Sequence, residues 1–301
     1  FEEFSEKHIW RQKRAGYSAI QRNGDIIDED EHLTDAIARE TVSRIHNAAS
    51  SDEPFFLYVP FSAPHTPFQA LESYTDRFQH VRDTRERIYY ALIAQLDDAV
   101  GQILDALNET GVDENTLVIF SSDNGGATYT GATGNDPLRG GKMSHFEGGL
   151  SVPLMMRWPG QISVGEIVDD PVILADLFPT VLKAADLPLP QDRPIDGVNL
   201  LEYGPENPNP KRTLFWRSDY NSIVLHNNWK LMMNGKDGKV WLYNLAEDRE
   251  ENHNLAESRP EIVEELRNLF LQWNQDMAPA SWPRVMDYYY DENGEGYWFA
   301  T

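Results

Sequence analysis

Three short polar segments contain side chains that together could carry out chemistry. His65 lies in the loop APHTP, Asp123 and Asn124 begin the turn DNGG, and Lys142 ends the segment LRGGK. An imidazole titrates near neutral pH, which suits general acid catalysis. Carboxylate and amide oxygens suit a hard divalent cation, Ca²⁺ or Mg²⁺, rather than zinc. A fixed lysine cation adds a ligand for an anion.

Each segment taken alone also has an ordinary interpretation. Asp-Asn-Gly-Gly is a common turn, a histidine between prolines is often a surface residue, and lysines mostly face solvent. Two oxygen ligands do not complete a calcium site, which takes six to eight, so further ligands must come from elsewhere. The joint interpretation depends on where the predicted elements place the three segments.

Predicted strands precede the first two segments. Residues 55–61 (FFLYVPF) and 116–122 (TLVIFSS) are short apolar runs typical of buried strands. Residues 84–110 repeat apolar side chains at spacings of three and four, which predicts a long helix ending at Gly111. Strand, long helix and strand indicate a βαβ unit with a parallel sheet. Ligands bind at the carboxyl ends of such strands, where His65 and Asp123 are expected.

The remaining pattern predicts an α/β domain over residues 1–205 and a small C-terminal α+β subdomain over 206–301. The division follows from the proline-rich connector 186–211. Residues 127–149 are rich in Gly, Thr and Asn, which predicts a long loop, and long loops in compact domains are usually functional. Further elements are predicted as follows: a helix over 34–49 capped by Thr34 or Asp35, a strand over 152–158, a helix over 172–185 kinked at Pro179, antiparallel strands within 215–245, and a closing helix over 260–276.

Composition excludes several classes of protein. The 301 residues are 41% hydrophobic and include 8 Trp and 13 Tyr, which favours a folded core over disorder. A net charge of −23 argues against binding to nucleic acid or to anionic lipid. It also repels an anionic substrate at long range, so an anion site must be built locally. There is no cysteine, and no apolar run reaches membrane-spanning length.

The ordered set of motifs resembles the type I sulfatases, close to the arylsulfatase and N-acetylgalactosamine-4-sulfatase-like branch. The matching segments follow the family's order and cover nearly the whole chain. They include PFFLYVPFSAPHTPFQA (54–70), VIFSSDNGGA (118–127), PLRGGKMSHFEGGLSVPLMMRWPGQI (137–162) and NNWKLMM (227–233). The resemblance implies an alkaline-phosphatase-like α/β/α sandwich, present in part, with a small C-terminal antiparallel sheet plus helix.

The resemblance also assigns roles to individual residues. Asp123 and Asn124 match late ligands of one Ca²⁺ ion, and His65 matches the histidine that contacts the sulfate ester and protonates the leaving oxygen. Lys142 matches the lysine that binds sulfate oxygens. The implied activity is hydrolysis of a sulfate ester on a sulfated carbohydrate or an aryl sulfate. A periplasmic or secreted location is expected from the same resemblance.

One departure from the family pattern concerns the nucleophile. The family uses a formylglycine made from the Cys or Ser of a Cys/Ser-x-Pro-x-Arg motif, and this sequence has no such segment. The early acidic metal ligands are also unmatched. Formylglycine is therefore expected upstream of Phe1, in an N-terminal part or companion polypeptide, without which this chain is expected to be inactive.

Several residues and interpretations stay open at this point. Arg139, Arg217 and His226 are candidate substrate contacts, with a structural role as the alternative, whereas Trp216 and Trp229 are expected in the core. The aromatic tail from Trp282 is expected to pack on the domain, a partner or the upstream region. Rival functions are a phosphodiesterase or phosphonate hydrolase of the same superfamily, a non-catalytic fragment that binds sulfated glycans, and a structural domain without a site.

Overall fold

The computed structural model describes residues 4–5, 19–204, 207, 212–292 and 294–301. The chain divides into two compact units. The first unit comprises Phe1–Thr116, Thr130–Thr133 and Trp158–Gly160, and the second comprises Leu117–Tyr129, Gly134–Arg157 and Gln161–Thr301. This division differs from the expected boundary at 205/206, which stays a prediction. No helix in the described ranges is both long and apolar enough to cross a membrane.

The first unit is mainly helical. Its elements are β1 (Phe4–Ser5), β2 (Gln21–Arg22), β3 (Asp25–Ile26), α1 (Leu33–Ala48), β4 (Phe68–Gln69), α2 (Glu72–Thr75) and α3 (Thr84–Glu109). Helix α3 buries its apolar stripe and ends as predicted, with Gly111 at a φ of +73° that favours glycine. Helix α1 is confirmed as well, but its N-cap is His32 rather than Thr34 or Asp35. The His32 imidazole accepts the Thr34 amide, a role that common capping preferences do not predict.

The predicted strand over residues 55–61 is absent. This segment forms no strand in the described structure, and the side chains of Phe56 and Tyr58 are 71% and 80% exposed. Its aromatic and β-branched composition gives strand propensity, but a strand also needs a neighbouring strand for its backbone hydrogen bonds. Among the described residues, none pairs with this segment.

The second unit contains β5 (Val118–Ser121), α4 (Glu147–Leu150), β6 (Leu154–Arg157), α5 (Leu177–Ala184), β7 (Leu214–Ser218), β8 (Asn221–His226), β9 (Trp229–Asn234), β10 (Val240–Asn244), α6 (Pro260–Gln275), β11 (Asp287–Glu292) and β12 (Glu295–Ala300). Strands β5 and β6 pair antiparallel, whereas residues 55–61, the expected parallel partner of β5, form no strand. A parallel return needs a long crossover, whereas the only α-helix described between these strands is the single turn α4.

The C-terminal part of the second unit confirms the predicted antiparallel sheet and helix. The strand order is β10-β9-β8-β7. Alternate side chains of each strand point to opposite faces of the sheet, and residues in register across the strands share a face. The two faces pack against different parts of the unit. One face places Val224, Leu231 and Leu242 against α6. The other places Ile223, Met232 and Trp241 against the β11–β12 hairpin and Phe146.

The aromatic tail therefore packs on the unit itself. Tyr297 and Phe299 of β12 are buried beside Phe146, with ring centroids 4.9 and 5.7 Å away. Trp216 and Trp229 are partly buried against the two faces of the sheet, which confirms their expected core role. The hairpin thus covers one face of the sheet and encloses Phe146, which belongs to the long loop 127–149.

Helix α5 shows why Pro179 causes no kink. The α-helix begins at Leu177, after a 3₁₀ turn at Leu174–Asp176, so Pro179 lies in its first turn. A first-turn residue has no intrahelical acceptor for its amide, and proline is tolerated there. The predicted kink is therefore wrong, although the helix itself is confirmed.

A buried carboxylate fastens α5 to the connector and to β7. Asp176 is fully buried and accepts hydrogen bonds from the amides of Ile173 and Val198, both at 2.9 Å. Arg212 donates to both of its oxygens, at 2.7 Å for Oδ1. These bonds hold four separate points of the chain together, because one carboxylate offers several acceptor sites.

We expect Asp176→Ala to lower the free energy of unfolding by about 3–5 kcal/mol, because it leaves the Arg212 guanidinium without its buried partner. The matched control is Asp192→Ala, which removes a carboxylate from an exposed pair with Arg193 and should leave the free energy of unfolding close to that of the parent chain. Urea unfolding of both variants measures the difference. Equal losses would contradict the assigned role of Asp176.

Candidate functional site

The candidate metal ligands lie directly after β5. Asp123 is exposed and Asn124 is half-buried, and the Ser122 hydroxyl donates to the Asn124 carbonyl at 2.8 Å. Within the described ranges, no cationic side chain pairs with the Asp123 carboxylate. The carboxylate and the adjacent amide oxygen are therefore available to a ligand from solvent.

The turn 123–126 is held against the segment 148–149 at a distance that only glycine allows. The Gly125 amide donates to the Gly149 carbonyl at 3.0 Å. A Cβ atom on Gly125 would lie 1.7 Å from the Gly148 carbonyl oxygen. Glycine is required here by the close approach of two backbones.

Asn135 ties the same turn to the lysine segment. Its Oδ1 accepts the Gly126 amide at 3.0 Å, while its Nδ2 donates to the carbonyls of Gly126 and Gly140 at 3.1 and 2.9 Å. The Lys142 amide also donates to the Gly126 carbonyl, at 3.0 Å. Lys142 and the Asp123-Asn124 pair are therefore parts of one backbone assembly.

The Lys142 side chain is half-buried, and no described carboxylate forms an ion pair with it. Met143, the next residue, has a φ of +73°. A non-glycine residue in the left-handed region is uncommon and is held there by its surroundings. The chain thus turns sharply just after the lysine, and the ammonium remains available to an anion.

Arg139 is enclosed by internal partners. Its guanidinium donates to the Glu251 carbonyl and the Tyr297 hydroxyl at 2.8 Å each, and it pairs with Glu292. It also lies 4.6 Å from the centre of the Phe146 ring, in a cation–π contact. The contacts with Glu251, Tyr297 and Glu292 join the lysine segment to the C-terminal part of the unit. Its role as a substrate contact stays a prediction.

A buried ion cluster lies beyond the lysine segment. Lys230 Nζ is 2.8 Å from Glu147 Oε1 and 2.8 Å from Glu251 Oε1. Burial lowers the pKa of Lys230, but Glu251 and then Glu147 outweigh this and raise it above its usual value. Burial raises the pKa of Glu251, with Lys230 opposing. Burial and the charge of Lys230 lower the pKa of His145 to about 4, so this imidazole is neutral at pH 7.

His65 lies in the first unit, in an exposed loop. Its Nδ1 is 2.7 Å from the Thr66 carbonyl. A carbonyl oxygen only accepts, so this contact assigns Nδ1 as the donor and leaves Nε2 without a hydrogen-bond partner among the described residues. This arrangement suits a general acid acting through Nε2, and its role in the site stays a prediction.

The two other candidates have local partners. Arg217 is exposed and donates to the Asn274 side chain at 2.6 Å and to the Ala278 carbonyl at 2.7 Å. The His226 ring lies 2.7 Å from the Thr213 hydroxyl through Nδ1 and 2.7 Å from Asn227 Nδ2 through Nε2. Arg217 thus contacts the C-terminal end of α6 and the segment that follows it, and His226 has partners beside the antiparallel sheet. The roles of both residues as substrate contacts stay predictions.

The donor set fits part of a hard-cation site. Nowhere in the described ranges do three or more His, Cys, Asp or Glu side chains form a metal-binding group. The adjacent Asp123 carboxylate and Asn124 amide are two hard oxygen ligands without competing cationic partners, and a calcium ion needs four or more further oxygens. The pair therefore suits one edge of a calcium site.

Comparison with known proteins identifies the class to which the fold and site belong. The sulfatase family model matches residues 4–187, and a model described as N-sulphoglucosamine sulphohydrolase, C-terminal, matches residues 141–276. The chain belongs to the sulfatase family. The resemblance to the type I sulfatases is confirmed. The predicted fold class, an alkaline-phosphatase-like α/β fold with a C-terminal antiparallel sheet, is confirmed as well.

Individual relatives show how much of the family's length is covered. A protein named Sulfatase from Formosa agariphila is 32% identical over 260 residues, which is 76% of this chain and 47% of that protein. N-acetylgalactosamine-6-sulfatase from Mus musculus is 35% identical over 173 residues, covering 56% of this chain and 32% of that protein. The solved structure of Ps i-CgsB in complex with k-i-k-neocarrahexaose matches with a TM-score of 0.82 at 30% identity, covering 88% of this chain and 59% of that one. The chain thus spans about half the length of the first curated relatives it matches.

Sequence patterns did not identify Asn135, Glu251 or Lys230. Asn135 lies in a polar loop where asparagine is common, and a lysine inside a strand pattern gives no sign of burial. Only the pairing of distant segments shows their roles. The glycine pairs at 125–126, 140–141 and 148–149 are the sequence signal of close backbone approaches.

We expect Gly125→Ala to destabilise the second unit by at least about 2 kcal/mol, since the added methyl must separate the turn 123–126 from Gly148. Gly101→Ala is the control, because a Cβ at Gly101 in α3 meets no atom within 4 Å. That variant should be neutral or stabilising by about 0.5–1 kcal/mol. Thermal unfolding measures both, and tolerance of alanine at position 125 would refute the close approach.

Proposed function

We propose that this chain forms part of a sulfuric ester hydrolase that removes sulfate from a sulfated carbohydrate. The observation that carries the proposal is the backbone assembly in which the Lys142 amide bonds to Gly126, two residues after Asn124. It joins two hard oxygen ligands to Lys142, whose ammonium pairs with no described carboxylate, in one hydrogen-bonded assembly. A metal ligand pair beside a cation suits the several oxygens of a sulfate group.

In this proposal the residues of the chain have distinct tasks. Asp123 and Asn124 hold one Ca²⁺ ion together with oxygens from elsewhere, and the ion when bound offsets negative charge on the sulfate. Lys142 binds a sulfate oxygen through its ammonium. His65 delivers a proton from Nε2 to the ester oxygen that leaves, since Nδ1 is committed to the Thr66 carbonyl.

The nucleophile is proposed to lie in polypeptide that precedes Phe1, as a formylglycine. This chain has no cysteine and no Ser-x-Pro-x-Arg segment, and it spans about half of its curated relatives. The chain by itself is then inactive and acts with an N-terminal part. We also propose a periplasmic or secreted location, as expected from the sequence resemblance.

The substrate class is proposed from relatives whose names contain a sugar. They include an N-acetylgalactosamine-6-sulfatase and the Ps i-CgsB structure solved in complex with k-i-k-neocarrahexaose. The net charge of −23 requires local cations at an anionic sugar, and Lys142 supplies one. The rival functions, hydrolysis of a phosphate or phosphonate ester and binding without catalysis, are outcomes of the tests below.

We expect Asp123→Ala to weaken calcium binding by at least about tenfold, because one carboxylate among six to eight oxygens carries much of the ligand charge. Calorimetric titration of calcium into the chain, together with its preceding polypeptide, measures this affinity. Asp105→Ala on the exposed side of α3 is the control and should leave it unchanged. An unaltered calcium titration for Asp123→Ala would remove Asp123 from the ligand set.

We expect the assembled enzyme to release sulfate from a sulfated oligosaccharide, and His65→Ala to lower kcat by about 10²–10⁴-fold, the usual range for general acid catalysis. His46→Ala, at an exposed position of α1, is the control and should keep full turnover. Release of phosphate from a phosphate or phosphonate ester with no release of sulfate would favour the rival hydrolase. No turnover by an assembled protein that binds the sugar would favour a glycan-binding protein.

A further inference from the structure

We propose that Lys230 is a positioning residue: through Glu147 and Glu251 it fixes the segment 139–149 and thereby places Lys142 beside the Asp123-Asn124 turn. The functional meaning of this inference rests on the proposed function, in which Lys142 binds sulfate. The structural part stands on contacts within the second unit alone.

Lys230 is an unusual residue for its place in the fold. It lies in the central strand β9, in register with Leu225 of β8 and Tyr243 of β10, and it is 1% exposed. Lysine is rarely fully buried unless it is paired. Its ammonium lies 2.8 Å from one oxygen of Glu147 and 2.8 Å from one oxygen of Glu251. The sheet thus presents one buried cation to two carboxylates from different segments.

Glu251 holds the segment 139–149 at two points. Its Oε2 accepts the Glu147 amide at 2.6 Å, and its backbone carbonyl accepts Arg139 at 2.8 Å. The residue has a φ of +58°, an uncommon conformation for glutamate. Lys230 in turn holds the Glu251 carboxylate, so the orientation of this acceptor depends on the lysine.

The segment between these points forms a closed loop. The Gly148 amide donates to the Arg139 carbonyl at 2.7 Å, which joins its two ends. Lys142 lies inside this loop and donates its amide to the Gly126 carbonyl at 3.0 Å. Gly149 accepts the Gly125 amide at 3.0 Å. A shift of Glu147 therefore moves the neighbour of Gly125 and the loop that carries Lys142.

Stability alone is a weak reason for this cluster. A buried ion pair gains little over a well-packed apolar replacement, because two charges lose their hydration. The cluster also contains two carboxylates for one ammonium, and burial raises the pKa of Glu251. What an apolar replacement cannot supply is a directed acceptor for the Glu147 amide. The cost of burying these charges is consistent with a need to fix the position of the segment 139–149.

The test compares local order in three forms of the chain by hydrogen–deuterium exchange with peptide-level mass spectrometry. Lys230→Met/Glu251→Met replaces the cation and one of the two carboxylates by apolar side chains of similar length and leaves Glu147 in place. The net charge of the cluster is unchanged, which preserves folding better than removing Lys230 alone. We expect exchange in peptides covering 123–128 and 139–149 to rise at least tenfold, while β8 keeps its protection. Lys239→Met, an exposed lysine that donates to the Gly296 carbonyl, is the control and should match the parent chain.

Three results would overturn the proposal: unchanged exchange in both peptides of a folded double variant, an equal rise in β8, or the same rise in Lys239→Met. If the double variant does not fold, Glu147→Gln serves in its place, because it keeps the side-chain length and most of the packing. We then expect exchange over 139–149 to rise about threefold, and an unchanged rate would overturn the proposal.

The functional consequence is measured separately in the assembled enzyme. We expect the double variant to lower kcat/KM for a sulfated oligosaccharide at least tenfold. Both enzymes are assayed at a temperature below their unfolding transitions. Exchange needs neither metal nor turnover, so its result is independent of the proposed activity. If the parent enzyme releases no sulfate while the exchange result holds, the proposed function fails and the positioning of the segment stands. If the parent enzyme is active and the variant equals it, Lys230 has no part in catalysis.

Discussion

The candidate site depends on the close approach of two backbones, at Gly125 and at Gly148–Gly149. The hydrogen bond from Gly125 to Gly149 forms only because Gly125 carries no side chain, since a Cβ there would lie 1.7 Å from the Gly148 carbonyl oxygen. Through it the turn that follows β5 and the loop that carries Lys142 become one piece. A rigid piece matters because a ligand pair and a cation are useful to an anion only at fixed relative positions.

That approach is supported from outside by the C-terminal sheet. One face of the sheet packs on α6, and the other face packs on the β11–β12 hairpin and Phe146. Phe146 precedes Glu147, so the loop is held by an apolar anchor and, one residue later, by an ion cluster. The apolar contacts supply stability, whereas the directed bonds to Glu251 and Arg139 fix orientation. The C-terminal sheet is therefore a support for the loop as well as a small core.

Local patterns predicted the parts of the fold that depend on local physics. Helices α3 and α6 and strands β7 to β10 follow from apolar periodicity, which a burying face imposes on nearby residues. Pairing was less predictable: residues 55–61 have strand composition without a described strand partner, and β5 and β6 pair antiparallel. Composition encodes which residues are buried, but not which segment lies beside them.

The candidate site divides in the same way. Asp123, Asn124 and Lys142 were recognised because their types and the adjacent glycines suggest chemistry, and their backbone connection appears only in the structure. Asn135, Lys230 and Glu251 were missed because their functions consist of contacts over long sequence separations. The His32 cap was missed for a related reason: histidine is a rare capping residue, and its ring is oriented by the Gln69 carbonyl at 2.9 Å. Residues that position others carry no chemical signature of their own.

The large negative net charge of the chain makes the pairing of its few cations important for binding an anion. With a net charge of −23, most of the surface repels an anionic sugar, and many cations are already paired: Arg139 with Glu292, Arg212 with Asp176, Arg284 with Asp219 and Asp287, and Lys236 with Asp287. Lys230 is buried between two carboxylates. Lys142 differs from these residues because no described carboxylate neutralises it, even though acids outnumber bases almost two to one. The two buried carboxylates that hold the segment 139–149, those of Glu147 and Glu251, both pair with Lys230, and neither pairs with Lys142 in the described structure. The acids that position this loop therefore leave the Lys142 ammonium to an anion.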